Sequence, residues 1–180
     1  MSIKAYDVKT ADYNIVYYSS CAINKIKSFI TYSAGGTFEA NKVMENIYLG
    51  GINSVYDKDE LKKLGVKNIV SVIAGFEPPY SDDFNYIVLN ALDTVNTDLK
   101  EFFSVTNDFI DESLDNSQKI LIHCMAGRSR SVTILAAYII KTYGMDVTNT
   151  LNTIKAARFD IEPNEYFISQ LEKYYKELYL

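Results

Sequence analysis

Residues 119–143 restrict the fold more than any other stretch of the chain. An apolar triplet, Ile120-Leu121-Ile122, leads into His123-Cys124-Met125-Ala126-Gly127-Arg128-Ser129-Arg130-Ser131, where small and polar side chains crowd together. From Val132 to Tyr143 the sequence is mostly apolar again. The order reads as strand, tight loop, helix. Ile134, Leu135, Ala137, Tyr138 and Ile139 make the helix apolar enough to require a place in the core, and Gly144 ends it.

The loop is chemically unusual. It holds one of two cysteines, the single histidine and two of the three arginines; every other basic residue is lysine. A loop that feeds a helix start presents unpaired backbone N–H groups and the positive end of the helix dipole, which together attract an anion. Arg130 adds a planar fork able to grip two oxygens of a tetrahedral oxyanion. Gly127 allows positive φ and close backbone approach. The same amides and Arg130 favour thiolate over thiol at Cys124. A thiolate on the floor of a phosphate-sized cradle is a nucleophile for phosphorus.

His123-Cys124-x-x-Gly127-x-Ser129-Arg130-Ser131 resembles the His-Cys-x5-Arg-Ser signature of cysteine-dependent protein phosphatases, specifically the small dual-specificity group. The resemblance spans roughly residues 44–178. It also takes in Ile47-Tyr48-Leu49-Gly50, Leu64-Gly65-Val66 and the element Pro163-Asn164-x-x-Phe167-x-x-Gln170-Leu171. It implies Cys124 as nucleophile and Arg130 as the phosphoryl-binding side chain, with Ser131 as a hydroxyl that helps sulfur leave. The backbone of Met125, Ala126, Gly127, Arg128, Ser129 and Arg130 forms the substrate cradle. Neighbours at a strand end point to opposite faces, so His123 is not expected to act as a base on Cys124; the resemblance implies instead a buried, hydrogen-bonded residue that shapes the loop. Arg128 points outward, toward substrate or toward acids.

Asp93 follows a strand end and lies 31 residues before Cys124, a separation that resembles the family's general-acid spacing. Departure of an alkoxide or phenoxide needs a proton, which a carboxylic acid supplies. The other reading of Asp93 is turn chemistry. Asp98 competes with it but suits the first turn of the next helix.

The rest of the chain agrees with one domain of this kind. Strand signals at 46–50, Val66–Ile73 and Phe84–Leu89 alternate with helix signals, predicting an α/β fold: a mainly parallel central sheet flanked by helices, as in the protein tyrosine phosphatase-like fold the resemblance implies. Asp57 and Gly65 bracket a short helix to Leu64. Further helices are expected at about 98–114, with Phe102, Val105, Phe109 and Ile110 inward, and at about 147–158, with Leu151 and Ile154 inward. Arg158 closes the latter against the dipole; the resemblance offers a second reading, contact with a second phosphate or an acidic residue of the substrate. Pro163 suits the first position of a last helix whose Phe167, Leu171, Tyr174 and Leu178 share a face. The catalytic domain is expected to occupy 44–180, with 1–43 an extension. In that extension Tyr13, Ile15, Val16, Tyr17 and Tyr18 are apolar enough to pack. A short helix to Ile30 would turn Ile23, Ile26 and Ile30 to one side, and Gly35-Gly36 reads as a break. The extension is read as a flap on the core. Because some relatives dimerise through such segments, a homodimer through 1–43 stays open.

With 180 residues, 48% hydrophobic and a net charge of −5, the chain has ample core and is a poor nucleic-acid binder. Two cysteines indicate a reducing compartment, and no signal, membrane span or lipidation motif stands out, so a cytoplasmic or nuclear place is expected. With one histidine and two separated cysteines, neither a metal nor another cofactor is expected. No Gly-x4-Gly-Lys-Ser/Thr run marks a nucleotide site. The expected partner is a phosphorylated protein, bearing phosphotyrosine or phosphoserine/threonine. Two alternatives stand beside it: a phosphatase of phospholipid or RNA 5′-phosphate on the same fold, and a catalytically weak phosphoprotein-binding module. The second usually lacks the cysteine, the arginine or the acid.

Overall fold

The computed structural model describes residues 1–7, 15–33 and 37–180. Tyr13 and the Gly35-Gly36 break lie outside the described residues. Six strands form one sheet: β1 (Ile3–Asp7), β2 (Ala40–Met44), β3 (Ile47–Gly50), β4 (Val66–Val72), β5 (Asn85–Asn90) and β6 (Lys119–His123), in the order β1-β5-β4-β6-β3-β2. All neighbours are parallel except β2 and β3, so the sheet is mainly parallel, as the alternating pattern predicted. Around it lie α1 (Ile15–Ser33), α2 (Lys58–Leu64), α3 (Phe103–Asp115), α4 (Arg130–Tyr143), α5 (Val147–Ala157) and α6 (Glu165–Tyr179).

The central strands are apolar because both of their faces are covered; Ile69, Val70, Val72, Ile120, Leu121 and Ile122 are fully buried. Helix α4 carries buried side chains from Arg130 to Ile140 and packs against α3, α5 and α6. Its carboxyl end stops at Gly144, left-handed at φ 64°, with the Gly144 amide on the Ile140 carbonyl. Helix α2 begins where the Asp57 carboxylate accepts from the Glu60 amide, and ends at left-handed Gly65.

The strand at 46–50 is not the first. Residues 3–7 add β1 at one edge of the sheet, in register with Tyr86 to Asn90 of β5, and residues 40–44 add β2 at the other. Both carry polar or charged residues, as edge strands do, and that composition hid them. Helix α3 starts later than expected. A 3-10 turn at Lys100–Phe102 precedes it, and Asp98 accepts from the Lys100 amide. The turn rotates the register, so Phe103, Thr106 and Ile110 are buried while Val105 and Phe109 are only half-buried. Pro163 precedes the cap of α6 instead of opening the helix: Asn164 caps it by accepting from the Phe167 amide. Leu178, expected inward, is exposed.

Helix α1 is longer than expected and docks by a different face. Cys21 packs close to Gly75, Asn24 donates to the Ala74 carbonyl at 3.1 Å, and Ser28 is buried. Ile23, Ile26 and Ile30 are 50%, 59% and 58% exposed. No helix among the described residues is long and apolar enough to cross a membrane.

Candidate active site

Strand β6 lies at the middle of the sheet between β4 and β3, so its carboxyl end opens where loops after β3, β4 and β5 converge. The loop 124–129 leaves that end and enters α4 at Arg130. Gly127 sits at φ +70°, and a Cβ there would lie 2.6 Å from the Gly50 carbonyl. Only glycine meets both demands, left-handed backbone and direct apposition to the Gly50-Gly51 peptide.

Cys124 is buried at the floor of this loop. Its sulfur accepts hydrogen bonds from the Gly127 amide and the Ser131 hydroxyl, each at 3.2 Å. Burial alone pushes the thiol up; the Arg130 charge and the bonds from Ser131 and Gly127 outweigh it, leaving the pKa below the ordinary value of 9.0. The outcome is a buried sulfur that ionises more readily than an ordinary thiol.

Arg130 is buried and donates through Nη1 to the Ala91 carbonyl at 3.1 Å. Its Nε lies 3.4 Å from an Asp93 carboxylate oxygen but has no hydrogen-bond partner among the described residues. Asp93 itself is held by two donors, Ser129 Oγ at 2.9 Å and Asn164 Nδ2 at 3.0 Å. The loop that carries Asp93 is tied to α6 by Gln170, whose side chain accepts from the Leu99 and Lys100 amides and donates to the Thr97 carbonyl.

His123 is fully buried, with Nε2 2.7 Å from Ser71 Oγ and Nδ1 3.3 Å from the Cys124 carbonyl. A carbonyl only accepts, so the proton belongs on Nδ1 and Ser71 donates to Nε2. Burial, opposed by the Cys124 carbonyl and assisted by the Arg130 charge, lowers its pKa to about 3. Neutral His123 therefore buttresses the strand end as expected, through Ser71 and the Cys124 carbonyl.

Sequence reasoning brought Cys124, Arg130, Ser131 and Asp93 to one place, and they are together here. The side chain of Arg128 is engaged with Glu162 and with the Asp160 carbonyl. Arg158 was misread. Its guanidinium does not serve the dipole of α5; it is buried and donates to the Gly127 and Ala126 carbonyls at 2.9 and 3.0 Å. The sequence does not single out Ser129 and Asn164 as holders of Asp93, although Asn164 belongs to the downstream Pro-Asn motif.

A cysteine loop between a central parallel strand and a buried helix places the molecule in the protein tyrosine phosphatase-like class of α/β folds. A family model described as "Dual specificity phosphatase, catalytic domain" matches residues 47–177. Dual specificity protein phosphatase 1B of Arabidopsis thaliana is 33% identical over 143 residues, covering 79% of this chain and 86% of that protein. Dual specificity protein phosphatase 1 of the same plant is 36% identical over 136 residues, 76% of this chain and 69% of that protein. The crystal structure of human tyrosine phosphatase-like serine/threonine/tyrosine-interacting protein superposes with a TM-score of 0.76 at 30% identity, covering 78% of this chain and 98% of that one. The chain belongs to the dual specificity phosphatase family.

Proposed function

We propose that the protein hydrolyses phosphotyrosine and phosphoserine/phosphothreonine in protein substrates through a phosphocysteine intermediate. One observation carries the reading: the Cys124 sulfur is buried yet biased toward thiolate, beneath the Gly127 amide and next to Arg130. In the first step the thiolate attacks phosphorus, a sulfur–phosphorus bond forms, and the phosphorus–oxygen bond to the leaving group breaks. Asp93 in its protonated form gives its proton to the departing oxygen. The Arg130 guanidinium, whose Nε has no hydrogen-bond partner among the described residues, and the amides of the loop take the charge gathering on the equatorial oxygens. In the second step Asp93, now carboxylate, takes a proton from water as its oxygen attacks phosphorus. The sulfur–phosphorus bond breaks with its electron pair going to sulfur, phosphate leaves, and the Ser131 hydroxyl stabilises the returning thiolate. Family membership together with the presence of the cysteine, the arginine and the acid favours an enzyme over a binding module. A thiol-dependent site suits the reducing cytosol or nucleus.

The test is single-turnover hydrolysis of 32P-labelled phosphotyrosyl and phosphothreonyl peptides, with a phosphoinositide and a 5′-triphosphorylated RNA in parallel. Label should pass transiently to Cys124 and peptides should outrun the other two. Cys124→Ser should abolish turnover, and Asp93→Asn should slow it by about 10²- to 10⁴-fold. Failure of label to reach Cys124, or preference for lipid or RNA, overturns the reading.

A further inference from the structure

Four successive carbonyls of the loop are held from outside. Met125 O accepts from the Ile52 amide at 3.0 Å, and Arg128 O from the Glu162 amide at 2.8 Å. The two between them, Ala126 O and Gly127 O, are held by the single guanidinium of Arg158. In a planar trans peptide the C=O and the N–H point opposite ways. Pinning these oxygens outward therefore turns the amides of residues 126–129 the other way, and the Gly127 amide does reach the Cys124 sulfur. The outer peptides are held by backbone partners; the inner two depend on one side chain.

Arg158 has its own holders. Its Nη1 donates to Glu39 Oε1 and Asn41 Oδ1, each at 2.7 Å, and Asp160 Oδ1 lies 3.5 Å from its Nε. Glu39 adjoins β2 and Asn41 lies within it, both ahead of the matched family region at residue 47. The buried cation is flanked by two carboxylates, which offset its charge, so its effect on the loop is directional more than electrostatic. We infer that Arg158 is the positioning residue that sets the two central amides of the cradle, and that Glu39 and Asn41 aim it, which makes the segment around β2 part of the oxyanion-binding unit. This rests on the proposed phosphatase reading only in taking the loop to bind an oxyanion.

Losing Arg158 strands two loop carbonyls. Either peptide can then rotate, replacing an amide that faces the anion with an oxygen that repels it. Lysine does not substitute, because a point charge lacks the fork that spans two carbonyls and two side chains at once.

The experiment follows iodoacetamide labelling at Cys124 by mass spectrometry, across pH and with increasing inorganic phosphate, so that it needs no turnover. In Arg158→Ala the phosphate needed for half-protection should rise by about tenfold or more, and the labelling midpoint should move to higher pH. Arg158→Lys should recover little. The double variant Glu39→Gln/Asn41→Ala should show the same changes at about threefold. If folded Arg158→Ala stays within about twofold of the wild type in both readouts while its melting temperature falls, the residue is merely structural and the inference is overturned. If Arg158→Ala does not fold, the double variant decides, and unchanged protection in it overturns the inference. Wild-type protein that phosphate protects but that cleaves no phosphopeptide defeats the activity reading alone. Wild-type protein that phosphate does not protect defeats both.

Discussion

The cysteine loop and helix α1 both lie against turns at the carboxyl end of the sheet, and they are attached in opposite ways. The loop is held by partners far away in sequence: Ile52, Glu162, Arg158 and, through Gly127, the Gly50-Gly51 peptide. Almost no freedom remains in it. Among the described residues, helix α1 touches the body through Cys21, Asn24, Ser28 and the Lys25–Glu77 ion pair, while Val16, Ile23, Ile26, Phe29 and Ile30 are largely exposed. The loop is fixed by backbone and guanidinium partners on several sides, whereas α1 meets the turn after β4 largely through small or polar side chains. Substitutions should therefore separate the two regions sharply.

Gly127→Ala should have the largest effect. A methyl group would meet the Gly50 carbonyl at 2.6 Å in a left-handed backbone, so the loop must rebuild. Turnover should fall by about 10³-fold, given that each misplaced oxyanion donor costs 10²–10³, with phosphate protection of Cys124 lost in the same variant. An alanine variant with near-normal kinetics would show that the loop is less constrained than its contacts indicate.

Asn164→Ala should act more mildly. It removes one of two donors on Asp93 and leaves Ser129 in place. A fall of about five- to tenfold in kcat with little change in KM is expected, since one hydrogen bond is worth roughly 1 kcal/mol. If KM changes instead, Asn164 works on substrate and not on the acid. The same change removes the cap of α6, so the melting temperature should be followed alongside.

His123 offers a pH test. Its folded pKa of about 3 lies below its ordinary value of 6.5. Above 6.5 neither state is charged and stability is full; as pH falls through the window down to about 3, the unfolded chain takes a proton that the folded chain refuses, and stability declines. Urea midpoints should fall between those limits, and more shallowly in His123→Gln. Equal slopes would mean that carboxylates carry the whole acid response.

The smallest effect belongs to α1. Ile26→Ser with Phe29→Ser changes two exposed side chains and should move stability by no more than about 0.5 kcal/mol per site, roughly 1–2 °C in Tm. A larger loss, or a change in sedimentation, would show that this face is covered in solution, one way in which a homodimer through residues 1–43 could form.

Much of this was readable before the fold. The helix brackets at Asp57, Gly65 and Gly144 are local chemistry, and they stand where their residue types put them. The strand-loop-helix order at 119–143 follows from hydrophobic pattern, and the pairing of Cys124 with Arg130 from the spacing of a single loop. Other features escaped. Strands β1 and β2 look like polar coil because edge strands tolerate such residues. The inward stripe assigned to Ile23, Ile26 and Ile30 was sound as periodicity, but the surface waiting for α1 was the Ala74-Gly75 backbone, which takes small side chains and an amide donor.

From the order of its residues alone, this chain already brings a cysteine sulfur, a guanidinium at the start of a helix and a glycine between them together, because all three lie within one turn-sized loop where local geometry decides. Which carboxylate faces that loop, which donors hold it, and where Arg158 reaches were settled only when segments from distant parts of the sequence met at the end of the sheet. Contacts between such segments depend on which strands become neighbours, and strand neighbours are chosen by the packing of the whole core.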